Sequence, residues 1–381
     1  MGRNGRAEGT AAAGQRQETA SRDRPVSCCP FPGTPAPPAP VSCNELKGNG
    51  LSYQSREYAA ALADFGTPRW LLHGQGWVLV RRVPAVDDAR DASGPYPLFA
   101  CRDWARLGED LADLRDAGIV SLVLVTDPLA APRSDRLRRL FRAVARPFKP
   151  HHVAELAAPV TDFAADHHRR HWRRFRRAGG TVAVCANPLD HLDDWCRLYA
   201  GLVRRHGITG PARFSRRSFR RQLALSGLLA VRAELAGRTV AMQLWLVDGD
   251  RAWYHLGAAD AAGYRHGASH ALMGETLSRL RERGVRRADL GAGAGLRHDP
   301  DDGLARFKAG WSNAVRWSWL CGAVLDPARY RDLCRRAGVE PDAADYFPAY
   351  RDPHRSRLVT GTAAPAAVAP ASPEVAHGHA H

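Results

Sequence analysis

The residues best placed to do chemistry gather between positions 237 and 319. Histidine accepts protons near neutral pH, and this stretch carries His255, His266 and His270, with Asp260 and Glu275 as acidic alternatives. A lysine ammonium can steady a developing negative charge. Lys308 follows Gly303 and Arg306 on a short element between a glycine-rich segment and the next apolar run. That position puts cations at the mouth of a sheet, where ligands of open α/β sheets collect. Gly257, Gly263 and Gly267 let the backbone approach a ligand closely. A turn that leads from a strand end into a helix presents free N–H groups and the positive end of a dipole. Residues 260–267, ahead of a helical segment, form such a turn and suit a phosphate or pyrophosphate.

These residues need a framework. Apolar runs at 240–247 and 252–258, joined by Asp248-Gly249-Asp250, predict a β-hairpin. Residues 268–283 have helical spacing and stop at Gly284. Ala288-Asp289-Leu290 is strand-like and runs into Gly291-Ala292-Gly293-Ala294-Gly295. The helix then makes a right-handed crossover between parallel strands. Asp289 is read as a structural partner of Arg286 or Arg287, and Trp311, Trp317 and Trp319 as core. Upstream, 165–180 predicts a helix with an apolar stripe of Trp172, Phe175 and Ala178. Its arginines, 169, 170, 173, 174, 176 and 177, make either an anion-binding helix or a solvated basic face. A helix at 192–206, an N-cap at Ser215 and a strand at 228–235 complete this part.

Residues 46–158 alternate strand and helix: strands at 77–83, 119–126 and 148–156, helices at 104–117 and 136–144. That alternation marks a layered α/β domain. This part holds His73, His151 and His152 but shows no acid–base pair. Residues 1–45, polar and then proline-rich, and 346–381, Ala/Pro-rich and ending in His377, His379 and His381, read as disordered segments.

The 381 residues are 45% hydrophobic, enough for a substantial core. The formal charge of +16 and pI of about 10.1 come mostly from arginine. Such a balance attracts phosphates, whether of a coenzyme, a nucleic acid or an anionic lipid. Eight cysteines form no C-x-x-C pair and no zinc spacing, so no metal is expected. No run reaches membrane-span length and the start lacks an apolar signal core. A cytoplasmic protein is expected, without a transmembrane segment, and peripheral membrane contact stays open.

Several of these pieces together resemble the GNAT superfamily of N-acyltransferases, in its FemAB-like branch. They are HWRRFRRAGGTVAV, RHGITGPARFS, GRTVAMQLWLVDGDRAWYHLGA, and ADLGAGAG followed by DDGLARFKAGW. The branch commonly carries G-L-x-x-F-K-x-G-[FW], which Gly303, Leu304, Phe307, Lys308, Gly310 and Trp311 match in order. The resemblance implies an α/β fold with a mixed sheet flanked by helices. It implies two GNAT-like halves, a degenerate one at 46–158 and a catalytic one at 159–345. It implies transfer of an acyl group, acetyl first, from acyl-CoA to an amine of a small molecule or cell-envelope precursor. Branch members also draw on aminoacyl-tRNA, as in peptidoglycan bridge formation. By resemblance Lys308 steadies the donor or the oxyanion. The donor-binding residues would be Gly257, Ala258, Tyr264, Arg265, His266, Gly267, Ala268 and Ser269. If the strand face shared by His255 and Gly257 is the cleft, His255 lies beside the carbonyl; otherwise it is a buried structural histidine. Acetyl-CoA-binding members show Q/R-x-x-G-x-G/A, where this chain has Tyr264, Gly267 and Ser269 and keeps only the first glycine. Acyl-CoA and aminoacyl-tRNA therefore both stand as donors. From another class, the basic balance also fits a nucleic-acid binder without catalysis.

Overall fold

The computed structural model describes residues 52–360, apart from 297, 298, 300 and 343–345. The calls for disorder at 1–45 and 361–381 lie outside the described residues. The first half starts with α1 (Arg56–Ala61), capped by the Ser55 hydroxyl, which accepts from Tyr58 N. Strands β1 (Thr67–Leu71), β2 (Gly76–Val83) and β3 (Val86–Ser93) follow as an antiparallel meander. Helix α2 (Leu107–Asp116) carries the chain to β4 (Ile119–Val125), which is parallel to β3. Helix α3 (Ser134–Leu140) and β5 (Val144–Glu155) close this half.

The second half opens with α4 (Val160–Phe163), α5 (Asp166–Arg177) and β6 (Thr181–Val184). Helices α6 (Leu192–His206) and α7 (Arg216–Leu223) come next, α7 capped by Ser215 as its sequence predicts. Strands β7 (Leu228–Leu235), β8 (Arg238–Asp248) and β9 (Arg251–Ala259) are antiparallel. The β8–β9 turn is tight because Gly249 adopts φ 58°, the left-handed region a two-residue hairpin turn needs. Helices α8 (Ala261–His266) and α9 (Ala268–Glu282) lead to β10 (Arg287–Gly291), parallel to β9. Last come α10 (Gly303–Ala309), β11 (Ala314–Val324), α11 (Pro327–Ala337) and α12 (Arg357–Thr360).

All eleven strands join one mixed sheet, ordered β1-β2-β3-β4-β11-β5-β10-β9-β8-β7-β6. Each half repeats one unit: an antiparallel hairpin, helices, and a strand parallel to the hairpin's second strand. The halves are welded by exchange. Strand β11 pairs with β4 of the first half, and β5 lies between β11 and β10. On one face of the second half, α9 is pressed between the sheet and α5. Its Leu272, Leu277 and Leu280 are at most 1% exposed, and each such burial stabilises by about 1.5–3 kcal/mol. On the other face lie α6, α7 and a core of Tyr53, Tyr58, Trp195, Phe214 and Phe219.

Three expectations change. Residues 260–267 are not an open loop: Asp260 caps the short helix α8, accepting from Gly263 N, and Gly267 ends it at φ 78°. Residues 346–360, read as tail, are folded: Tyr350 is buried, and the Arg351 guanidinium pairs with buried Asp91. Trp311 is core, but Trp317 is 47% exposed, because its face of β11 is uncovered there.

Candidate active site

The site is made by two parallel strands that stop pairing. Strands β9 and β10 are in register only from Arg251↔Arg287 to Trp253↔Asp289. Beyond that, β9 continues to Ala259, while β10 turns off at Gly291, whose φ of +81° suits glycine. A V-shaped mouth opens between them.

Lys308 sits in this mouth, 7% exposed. Helix α10 holds it there, and Asp302 caps that helix, accepting from Leu304 N and Ala305 N. The Lys308 Nζ donates to Ala292 O at 2.7 Å and lies 5.6 Å from the centre of the Tyr254 ring. A Cβ at position 291 would come within 2.9 Å of that nitrogen, so glycine is what leaves room for it. Burial lowers the Lys308 ammonium to about 8; Asp289 and Asp302 oppose the shift and Lys149 adds to it. The described residues give Lys308 no second hydrogen-bond acceptor, so donors stay available to a ligand.

The register of β9 decides which side chains share the mouth. Leu256 pairs with Leu244, but Tyr254 pairs with Trp245, leaving His255 as an extra residue. This β-bulge reverses the alternation. Tyr254 and Gly257 therefore share the Lys308 side, and the Tyr254 hydroxyl lies over Gly257, 1.9 Å from where a Cβ would stand. His255 turns to the opposite face with Leu256 and Ala258. There its Nε2 meets Gln222 Oε1 at 3.0 Å and its Nδ1 meets the Tyr53 hydroxyl at 3.3 Å. Burial holds it neutral, down at about 3. Both nitrogens are thus committed away from the mouth, which is the buried alternative of the two places its sequence left open.

The turn into α9 is tighter than a phosphate cradle. A Cβ on Gly263 would lie 2.5 Å from Val240 O, and one on Gly267 would lie 3.2 Å from His171 O. Both glycines are used to pack the protein against itself. Arg265 offers its carbonyl to the Arg174 guanidinium, and Tyr264 is exposed with the Arg205 guanidinium 4.3 Å from its ring centre. Ala268 is fully buried, and Ser269 O accepts from Gln243 Nε2 at 3.4 Å. His266, half-buried, ends α8. Beside this turn the His270 ring stacks on His171 and lies tilted against His168. Burial and the neighbouring imidazoles hold His168 at about 4 and His270 at about 3. The His270 ring is 5.0 Å from Phe307, so the turn and Lys308 lie on one side of the sheet. The first turn of α9 is thus free of acids, while the space beside the two glycines ahead of it is already filled.

Sequence reasoning missed the groups behind Lys308. Asp289 does not pair with Arg286 or Arg287; it accepts from Gly291 N at 2.7 Å and meets His151 Nδ1 at 2.9 Å. Asp127, at the end of β4, is buried, and burial with the nearby Asp289 raises it to about 6. Lys149 reaches the segment after β10. The signal was faint: Lys149, His151 and Val153 alternate along β5, but their partners are more than a hundred residues away.

Elsewhere, a groove of about 590 Å³ on α5 is lined by Arg170, His171, Arg174, Arg177 and Ala178. Among the described residues Arg170, Arg173 and Arg177 form no salt bridge. Another, of about 420 Å³, lies by Glu155, Arg286, Arg287 and Arg316. His73, Asp110 and Asp113 bring ligand atoms within 4.8 Å of one another. Asp110 already accepts from the N–H groups of His73 and Gly74, and Arg106 lies 2.8 Å from His73 Nδ1, so a cation is in place there. Among the described residues no helix is long and apolar enough to cross a membrane.

Residues 162–308 match the family model described as "Acetyltransferase (GNAT) domain". No curated protein matches the sequence. Among solved structures, FemX is similar at 13% identity and a TM-score of 0.55, over 77% of this chain and 98% of that one. L-PGS from Bacillus licheniformis is similar at 15% identity and 0.52, over 74% and 92%. The DUF2156 C-terminal domain of an Agrobacterium fabrum protein assigned as a lysylphosphatidylglycerol synthetase is similar at 16% and 0.51, over 75% and 90%. At these identities the likeness is one of fold. The match over residues 162–308 is to an acetyltransferase domain of the GNAT kind, which favours an acyltransferase over a nucleic-acid binder without catalysis, and the chain shares its fold with FemX and L-PGS.

Proposed function

We propose that the protein is an N-acyltransferase in which residues 159–345 do the chemistry and 46–158 serve as scaffold. The observation that carries this is the buried Lys308 ammonium, held over Tyr254 in the mouth between β9 and β10. A neutral amine attacks the donor carbonyl, the C–N bond forms, and the C–O or C–S bond to the carrier breaks. The proton that the amine sheds ends on the carrier oxygen or sulfur as it is released, so the step balances. Lys308 donates to the carbonyl oxygen as it becomes an oxyanion; in a low-dielectric mouth such a donor is worth several kcal/mol. No other side chain of the mouth is assigned a proton.

For the donor, aminoacyl-tRNA is the favoured reading. The two turn glycines are filled by Val240 and His171 rather than left for a pyrophosphate. The arginines of the α5 groove, close by, suit a sugar–phosphate chain. The fold shared with FemX and L-PGS supports an envelope precursor or lipid headgroup as acceptor. Acyl-CoA is the second reading, supported by the GNAT model match and the acid-free start of α9. One experiment separates them. Purified chain is offered aminoacylated tRNA or acetyl-CoA with a panel of primary amines, and acylated amine is measured by mass spectrometry. Transfer from tRNA that Lys308→Met abolishes supports the first reading; transfer from acetyl-CoA alone replaces it with the second. No transfer from either, or transfer indifferent to Lys308→Met, overturns the role given to Lys308.

A further inference from the structure

Of the chain's 55 lysines and arginines, only Lys47, Lys149 and Lys308 are lysines. Lys149 and Lys308 come from opposite halves, and both aim their ammonium groups at one run of consecutive carbonyls. Lys308 takes Ala292 O at 2.7 Å. Lys149 takes Gly293 O, Ala294 O and Gly295 O at 2.6, 2.8 and 2.9 Å. Three acceptors converging on one nitrogen match the three protons of an ammonium. A planar guanidinium spreads its donors over three nitrogens and cannot gather carbonyls this way.

Lys149 is 5% exposed, and the described residues give it no carboxylate within salt-bridge distance. A buried ammonium without an ion pair is costly, so ordinary packing does not explain it. What the arrangement achieves is a curl. Gly291 and Gly295 take φ of +81° and +69°, and the carbonyls between them turn inward onto the two lysines.

We propose that Lys149 is a positioning residue for Lys308: by gathering the carbonyls of Gly293, Ala294 and Gly295 it presents Ala292 O to the Lys308 ammonium in the mouth. The two halves of the chain thus meet in the site itself. The charge of Lys149 adds a second effect, since it lowers Lys308 alongside burial. The other groups facing Lys308 are Asp289 from β10, Asp302 from the start of α10 and the Tyr254 ring from β9. This inference rests on the reading of Lys308 as the group that meets the carbonyl oxygen.

The scarcity of lysine makes the test direct. The full chain is labelled with carbon-13 at the lysine ε position, and its three signals are titrated by NMR. In the unaltered chain the Lys149 and Lys308 signals should titrate below 10.5, with Lys308 near 8. Each curve should show the other's step, as coupled groups do. Lys149→Gln removes the charge and should raise the proton affinity of Lys308, on the order of threefold. It should also lower kcat with aminoacylated tRNA or acetyl-CoA more than it alters KM. Lys149→Arg keeps the charge but not the geometry, so Lys308 should stay low while kcat still falls. If Lys149→Gln leaves the Lys308 curve and kcat unmoved while Lys308→Met abolishes transfer, Lys149 is a structural staple and the inference is overturned alone. If Lys308→Met leaves transfer intact, the underlying reading fails instead. Should Lys149→Gln not fold, the unaltered chain decides: uncoupled single-step curves overturn the inference.

Discussion

The two halves build the same hairpin–helix–strand unit and then treat the gap between the parallel strands in opposite ways. In the first half the gap is sewn shut. After Ser93 the chain keeps bonding to β4: Gly94 N to Val123 O at 2.8 Å, Phe99 N to Val125 O at 2.7 Å, and Asp127 N to Phe99 O at 2.8 Å. Phe99 is fully buried and packs edge-on against Trp104. The helix that follows, α2, starts with Glu109 and Asp110, which would repel an anion at its N-terminus. In the second half pairing ends at Asp289↔Trp253, no acid stands at the start of α9, and the gap holds a lysine. Under the proposed function, one fold unit serves as a scaffold where the strands stay zipped and as a site where they part.

The comparison breaks most sharply at Lys308. Lys308→Met should cut acyl transfer by about 10²–10³-fold with donor binding little changed. As a cation, the group acts while protonated, so kcat should fall as pH rises through about 8. Lys308→Arg, charged at any accessible pH, should remove that falling limb from whatever activity it keeps. A steady-state pH series on the three proteins checks this; a limb unaltered in the arginine variant would sink the assignment. The first half should respond in stability instead. Phe99→Ala removes a fully buried ring and should cost about 3–5 kcal/mol in urea unfolding, leaving kcat per folded molecule unchanged. Loss of kcat at full stability would mean the closed gap takes part in the chemistry.

Asp289 tests the border between the halves. Asp289→Asn keeps an oxygen for Gly291 N but removes the charge that holds the Lys308 proton. The falling limb should move below 8, with kcat at neutral pH down by about tenfold or less. A limb that stays in place would show that Asp289 serves His151 alone.

How much of this the sequence disclosed depends on the range of the interaction. Helix α6 and the cap at Ser215 come out as read, because spacing and capping are local. Lys308 emerged from a short motif next to a glycine-rich strand end. The fold of residues 260–267 did not, because Asp260 and Gly267 bracket a helix too short for periodicity to show. Strand β3 escaped notice because Asp87, Asp88 and Asp91 read as loop. Asp91 is tolerated inside because Arg81, opposite it on β2, and the distant Arg351 and Tyr350 hydroxyl all reach it. Alternation alone puts His255 and Gly257 on one face, and one extra residue parts them: a bulge is a property of two strands, and alternation along one cannot reveal it. Lys149, His151 and Asp127 join the site through β5 and β4, whose neighbours are set by strand exchange between the halves.

Acid should separate the halves with the smallest effect. The second half buries three neutral imidazoles: His168 held at about 4, His255 and His270 at about 3, against an ordinary 6.5. A depressed histidine means the unfolded chain binds the proton first. Its stability contribution is therefore present above about 6.5 and is lost as pH falls toward 4 and 3. In the first half His151 lies against the Asp289 carboxylate, and His73 beside Glu109 and Asp113. Hydrogen exchange at pH 7 and near 4.5 should show α5 and α9 loosening before α2 and β4. His255→Phe keeps an aromatic ring but leaves Gln222 Oε1 and the Tyr53 hydroxyl unpaired, at a cost of about 1–3 kcal/mol at pH 7. Because phenylalanine cannot titrate, the gap to the unaltered chain should shrink as pH falls below about 6.5. A gap that holds constant from pH 7 to 4 would mean His255 is protonated alike in the folded and unfolded chain, and the buried, neutral imidazole on the far side of the bulge would have to be given up.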